Sequence, residues 1–423
     1  MDAHATDPRP ASPPDLLRWL LDEGRLLPTP GALLAALCGR LEDAGLGINR
    51  VSVTVWALHA EISHFVYVWH RKGAANVVPP PRHVVVESRS ETIGGASVLE
   101  SAVRYGSFQM PAFANSPLVA VVDEGREVRY RLLPDATDFP FGVYRELRDG
   151  GATDYVAMPM RLNQGPTSMA SFVTAKPGGY TDADLTLLRS LLPAITLVFE
   201  LHSSRIVTRS LLRAYLGAEP GTRVQAGQVR VGDVRSIDAA IVFSDLRGFT
   251  ALSAGLDSKA LVDTLNGYFG AITRPIEAHG GDILKFIGDA LLVVFTVTPE
   301  RPAEAACAAA LGAVTEANLA LDRWNEERAA RGEPPLDHGL GLHLGTAEYG
   351  NIGSSSRVDF TVIGPDVNLA SRIEGTCARL GRRVVASSAF ASRAAAVRWE
   401  SLGTHALKGV PEPQALFGLP QAG

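Results

Sequence analysis

Leucines 16, 17, 20 and 21 recur at helical spacing from Asp15 onward and predict a first helix with one apolar face. LLAALCGRLEDAG, ending at residue 45, repeats the pattern and stops at a Gly-rich turn. Strand patterns follow. Val51, Val53 and Val55 alternate with Ser52, Thr54 and Trp56, and SHFVYVW (63–69) is rich in aromatic and β-branched residues. HVVVE (83–87), DYVAMPM (154–160) and SMASFVT (168–174) read as further strands. Strands bracketed by helices predict an α+β domain over residues 15–200, behind a Pro-rich, disordered lead-in over 1–14.

From Thr181 the period becomes helical again. Thr181 and Asp184 predict a capped start. Leu188, Leu192, Ile195, Phe199, His202 and Ile206 then step by fours and threes, a coiled-coil-like seam that Pro193 should kink or interrupt. Such a helix either packs on its own sheet or dimerises and carries a signal onward. Its length favours the second. Residues 181–236 are therefore read as a signalling helix and linker, the Gly- and Arg-rich part at 217–236 lacking any long period.

A second α+β domain is predicted over 237–420. IDAAIVFSD (237–245) is an apolar run ending in an acid, and a helix follows it. In DILKFIGDALLVVF two apolar runs flank Gly288-Asp289, the signature of a tight hairpin. An Ala-rich helix (302–329), strand LGLHLGT (340–346), strand RVDFTVIG, helix DVNLASRIEGTCARLG and strand RRVVAS complete a β-α-β-β-α-β order with additions, a ferredoxin-like pattern.

Composition removes several function classes. Forty Lys+Arg against 45 Asp+Glu leave a net charge of −5, which argues against a basic nucleic-acid face. Cys38, Cys307 and Cys377 are odd in number and far apart, so they suggest neither a disulfide framework nor a cysteine metal cage, and they fit a reducing cytoplasm. The first residues have no apolar signal region, and no predominantly apolar run of membrane-spanning length is expected.

Two acids carry the candidate chemistry. Asp245 ends an apolar strand just before Arg247-Gly248-Phe249-Thr250, and Asp289 sits at the hairpin tip. Either alone reads as a turn former or a helix cap. In a ferredoxin-like sheet the two strands are neighbours, and paired carboxylates beside a helix start suit divalent metal and phosphate.

FSDLRGFT (243–250), KFIGD (285–289) and TVIGPDVNLASR (361–372) together resemble the class III nucleotidyl cyclase catalytic domain, in matching order and spacing over about residues 235–420. The resemblance implies an adenylate cyclase that makes cyclic AMP and pyrophosphate from ATP, with two Mg²⁺ or Mn²⁺ ions per site and sites at a head-to-tail homodimer interface. Asp245 and Asp289 match the metal-binding aspartates, with the Leu246 backbone as a further ligand. The N–H groups of Gly248, Phe249 and Thr250 would cradle phosphates. Lys285 matches the purine-reading lysine, whose ammonium suits the N1 acceptor of adenine and clashes with the N1–H of guanine. Thr361, where many members have Asp, resembles the IIIb subgroup; guanylyl cyclases typically carry Glu and Cys at these two positions. Asn368 matches the ribose-orienting residue, Arg372 the arginine that stabilises charge at the α-phosphate, and Lys408 the lysine on the triphosphate. IGPDVN replaces the commoner Gly-Asp-Thr-Val-Asn wording, with Pro365-Asp366 fitting a helix start.

Rivals are a guanylate cyclase and a catalytically silent nucleotide-responsive module. A diguanylate cyclase is a further rival, and Ile283 and Leu284 argue against it, following Gly280-Gly281-Asp282 where its signature needs an acid and Phe. In the first domain, residues 146–160 and 171–191 resemble the C-terminal half of a GAF-type sensor, which implies an unknown small-molecule or protein input. Trp56, Phe65, Tyr67 and Trp69 are candidates to line its pocket, and core packing explains them as well. His59, His64 and His70 read as structural or solvated.

Overall fold

Asp15 accepts from both the N–H and the hydroxyl of Ser12, which starts α1 at Pro13 (Pro13–Asp22), two residues ahead of the predicted order. Pro13 is tolerated there because a first helical turn has N–H groups to spare. The computed structural model describes residues 12–57, 62–73, 85–106, 116–163, 165–354 and 356–420. Residues 1–11 of the predicted lead-in, His59, and His83-Val84 of the predicted strand HVVVE lie outside these. Leu16 and Leu20 are buried, whereas Leu17 and Leu21 face outward, so the apolar face is half as wide as its leucines suggest.

The chain forms two units, up to Leu211 and from Leu212 onward. The first is a seven-stranded antiparallel sheet in the order β3-β4-β2-β1-β7-β6-β5. Its strands are β1 (Ile48–Trp56), β2 (Ile62–His70), β3 (Val85–Ile93), β4 (Ala96–Arg104), β5 (Val128–Arg131), β6 (Asp154–Met160) and β7 (Ser168–Thr174). Val51, Val53 and Val55 face α1, α2 (Pro30–Asp43) and the long α5 (Asp182–Leu216). The other face meets α3 (Pro117–Asp123) and α4 (Gly142–Asp149).

Thr181 and Asp184 exchange the expected capping hydrogen bonds at the head of α5. Pro193 does not interrupt it; the helix runs on through the proline. Leu188, Ile195 and Phe199 of the predicted seam belong to the unit's own core, so this stretch packs on its own sheet. One expectation is overturned here: by length and composition α5 is apolar enough to cross a membrane, with a mean hydropathy of 1.4 over 18 residues. Half of that window is buried inside the unit, while outward Leu197 and Leu201 raise the average. For Tyr67 and Trp69 the core-packing reading holds. They lie in the core under α1, α2 and α5, with Phe65 packed against it.

The second unit begins in the predicted linker, which is ordered. It holds α6 (Ala218–Gln225), whose Glu219 accepts from Tyr349 Oη at 2.5 Å. Asn351 Nδ2 donates to the Gln228 carbonyl, and the Gly232 N–H to the Asn351 carbonyl. Residues without periodicity thus serve one strand. That strand is β11 (His338–Gly353), more than twice its predicted length because β8 (Val234–Leu246) pairs with it from Val234 to Leu246.

The sheet order is β14-β15-β13-β11-β8-β10-β9, with β12 (Val358–Ile363) paired to β11. Here β9 is Asp282–Ile287, β10 Ala290–Thr296, β13 Val384–Ser387, β14 Glu400–His405 and β15 Gln414–Gly418. The central β11-β8-β10-β9 run has the ferredoxin-like order. Ala240, Val242 and Leu246 face α8 (Ser258–Ala278) and α9 (Ala303–Ala330), beyond the short α7 (Phe249–Gly255). Ile237, Ala239 and Ile241 face β12 and α10 (Pro365–Glu374). Strand alternation therefore puts Asp245 on the α10 side and Leu246 on the α8/α9 side.

Candidate active site

Asp245 is the next-to-last residue of β8, and Asp289 occupies the two-residue turn between β9 and β10, where Gly288 takes φ +65°. Leu291 pairs with Ser244, so the turn falls beside Asp245. Burial, followed by the charge of the neighbouring Asp289, pushes the Asp245 pKa up to about 6. Two hard oxygen donors brought side by side fit a divalent cation. Among the described residues no three His, Cys, Asp or Glu converge to hold a metal, so these two acids form the carboxylate set.

The strand end is pinned from below and from behind. Ser244 Oγ lies 2.9 Å from Tyr268 Oη, which lies 3.5 Å from His338 Nδ1; His338 Nε2 lies 2.8 Å from Asn318 Oδ1. Burial holds His338 neutral, with its pKa down at about 3. Arg247 donates to Asp337, which also accepts from Arg383, and to the Arg382 carbonyl. Gly248 (φ +70°) then turns the chain into α7, whose first-turn N–H groups at Phe249 and Thr250 have no intrahelical acceptor. The Leu246 side chain is buried in the core, leaving only its backbone for any ligand role.

Lys285 reaches β12 because of a β-bulge. Leu292 pairs with Lys285 and Val293 with Ile283, leaving Leu284 extra in β9. The Lys285 ammonium pairs with Asp359, two residues before Thr361. Phe360 and Val362 are buried and Asp359 and Thr361 are not, so the acid and the threonine share one face of β12. Asn368 and Arg372 lie one turn apart on the exposed side of α10. Pro365 is the first residue of this helix, and Asp366 accepts from the Thr346 N–H, anchoring α10 on β11. Lys408 is exposed in the β14–β15 connection, and nothing ties it to the other site residues.

Two site residues escape the motif reading. Asp359 left one signal in the sequence, its place two residues before Thr361 and so on the same face of a strand. Glu374, on the sheet-facing side of α10, projects over Gly339, the cross-strand neighbour of Asp245. Burial and the Asp245 charge, opposed by Arg247, raise its pKa to about 7. An acid with a raised folded-state pKa weakens the fold as pH rises from its unfolded pKa to its folded one. Glu374→Gln should therefore unfold at a higher temperature than the metal-free wild type at pH 8, with the difference closing towards pH 5. Calorimetry of the two proteins across this range checks it.

Residues 233–418 match the family described as "Adenylate and Guanylate cyclase catalytic domain". These residues form a class III cyclase catalytic domain. The chain is similar to an adenylate cyclase of Anabaena cylindrica, 35% identical over 161 residues, covering 37% of this chain and 31% of that protein. It is similar to adenylate cyclase 1 of Rhizobium meliloti, 35% identical over 175 residues, covering 41% of this chain and 26% of that protein. Among solved structures it is similar to the guanylyl cyclase Cya2, at 34% identity and TM-score 0.39, over 46% of this chain and 96% of that one. The chain thus spans about a third or less of the curated relatives' length. The shared part is the cyclase domain.

Proposed function

We propose that this chain is an adenylate cyclase, converting ATP to 3′,5′-cyclic AMP and pyrophosphate in a homodimer, with its first unit as a GAF-like regulatory sensor. The observation that carries this is the meeting of Asp245 and Asp289 at the sheet end of a cyclase domain. Bound Mg²⁺ or Mn²⁺ would supply charge neutralisation of the triphosphate and acidify the ribose 3′-hydroxyl. Asp245, Asp289 and the Leu246 carbonyl would hold the ions.

The other roles belong to side chains and backbone of this chain. Free N–H groups at Gly248, Phe249 and Thr250 orient the phosphates. Asn368 positions the ribose so that its 3′-oxygen lies in line with the α-phosphorus. As the new O–P bond forms and the bond to pyrophosphate breaks, Arg372 stabilises the charge gathering on the α-phosphate. Lys408 steadies the departing pyrophosphate. Exposed Phe286, Ile287, Val358 and Ile363 on β9 and β12 give an apolar surface that suits a second copy.

Lys285 beside Thr361 favours adenine, since the ammonium donates to N1 and the hydroxyl accepts from the 6-amino group. A hydrogen bond to a charged group is worth about 1.5–3 kcal/mol, so Lys285→Ala should lower kcat/KM for ATP by about 10–100-fold. The test is turnover of ATP and GTP measured side by side with Mn²⁺. Turnover of ATP over GTP supports the reading, preference for GTP replaces it with a guanylate cyclase, and turnover of neither makes the domain a silent module. Cytoplasmic placement accords with three free, buried cysteines.

A further inference from the structure

Four alternate positions of β11 lie beneath α10, and only one of them has a side chain. Strand alternation puts Gly339, Gly341, His343 and Gly345 in one row on that face. A Cβ at the three glycines would come within 2.3 Å of Glu374, 2.5 Å of the Ala370 carbonyl oxygen and 2.3 Å of Asp366 in turn, all residues of α10. The helix therefore lies directly on the strand, and His343 is the one side chain of the row beneath it. His343 is buried, with Ile241 of β8 as its cross-strand partner on one side and Ser387 of β13 on the other.

Its two ring nitrogens face different elements. Nδ1 lies 2.8 Å from Ser387 Oγ, which also accepts from the Phe390 N–H as the cap of α11 (Ser388–Arg393). Nε2 is buried without a full hydrogen bond and lies 3.4 Å from Asp366 Oδ1. A carboxylate only accepts, so Nε2 carries the ring proton and Nδ1 accepts from the Ser387 hydroxyl. Burial lowers the His343 pKa, so the ring brings this single N–H at neutral pH. Asp366 accepts the Thr346 N–H on its other oxygen and is the second residue of α10, two before Asn368. In the commoner wording of this segment the acid directly follows the glycine. Here Pro365 holds that place, and the acid comes one residue later, where it faces His343.

We propose that His343 is a positioning residue for the active site: through Asp366 it sets the seat of α10 on β11, and with it the aim of Asn368 and Arg372. The assignment rests on those two residues serving the cyclase reaction. Three glycines make the strand smooth beneath the helix, and the His343–Asp366 contact is the stop against sliding. A helix shifted by part of an ångström keeps Val367, Ala370 and Ile373 buried, but it carries Asn368 and Arg372 off their line to the substrate.

The experiment is steady-state turnover of the preferred nucleotide, ATP or GTP, with Mn²⁺, read as kcat and KM beside the unfolding midpoint of each variant. His343→Asn and His343→Gln separate the two ring contacts, since the Asn amide falls near Nδ1 and the Gln amide near Nε2. His343→Asn should lower kcat about tenfold with KM within about twofold, because a full 1 Å of misplacement costs about a hundredfold. His343→Gln keeps the donor to Asp366 and should hold kcat within about threefold of wild type, whatever its midpoint. Asp366→Ala should lower kcat as His343→Asn does, and adding His343→Asn to it should cost nothing further. If His343→Asn does not fold, kcat kept in His343→Gln and lost in Asp366→Ala decides for the assignment. An unchanged kcat in His343→Asn overturns it, as does a kcat equally low in His343→Gln, or losses that multiply in the double variant. A wild type that turns over neither nucleotide overturns the proposed function first, and this assignment with it.

Discussion

Asp245→Asn should reduce cyclic AMP formation by about 10²–10³-fold or more, the scale on which a group that stabilises developing charge acts. The amide keeps the shape of the carboxyl group but removes the charge that Asp245 brings to the pair with Asp289. Without divalent metal the variant should fold at least as stably as wild type, because burial and the Asp289 charge already disfavour the ionised Asp245. The rise in unfolding temperature that Mn²⁺ gives wild type should disappear. Loss of activity with folding intact is the expected pair of results. Wild-type turnover by Asp245→Asn would remove the basis of the proposed function.

Gly341→Ala should have the largest effect on folding. Gly341 lies in β11 beneath α10, and a Cβ there would come within 2.5 Å of the Ala370 carbonyl oxygen and of the Glu374 nitrogen. Both are helix backbone, so the helix must lift. Overpacking of this kind costs about 1–3 kcal/mol, several degrees in the midpoint for a unit of this size. Because α10 carries Asn368 and Arg372, kcat should fall more than KM rises. Gly339→Ala is the comparison: its Cβ meets first the flexible end of Glu374, at 2.3 Å, and should be milder. Urea unfolding and steady-state kinetics on the two variants separate the outcomes, and equal effects would show that α10 does not bear on Gly341 in this way.

The cyclase half was largely legible because its chemistry rests on local signals. An apolar run closed by Asp245, a Gly288-Asp289 turn and a Pro365-Asp366 helix start each depend on a few consecutive residues. Glu374 escaped because its importance comes from the pairing of Gly339 with Asp245, a contact between distant segments. Asp359 escaped because only the bulge at Leu284 brings Lys285 to it. In the first unit, alternation located the strands but left open which face the helices would cover. Tyr67 and Trp69 fitted a pocket wall and a core equally, and the side that the helices take puts them in the core. The stretch at 217–236 read as a spacer because α6 takes its meaning from Tyr349 and Asn351, over a hundred residues away.

The unbroken pairing of β8 with β11 makes the side on which Asp245 emerges a matter of parity. From Val234 to Leu246 every residue has a partner, with no bulge to absorb a change of count. One residue inserted into this run would turn Asp245 towards Tyr268 and the packed helices, exchanging it with a neighbour meant for the core. Two inserted residues would restore its direction. Natural variation in the length of β8 should therefore come in even steps, while the connections outside the ladder vary freely.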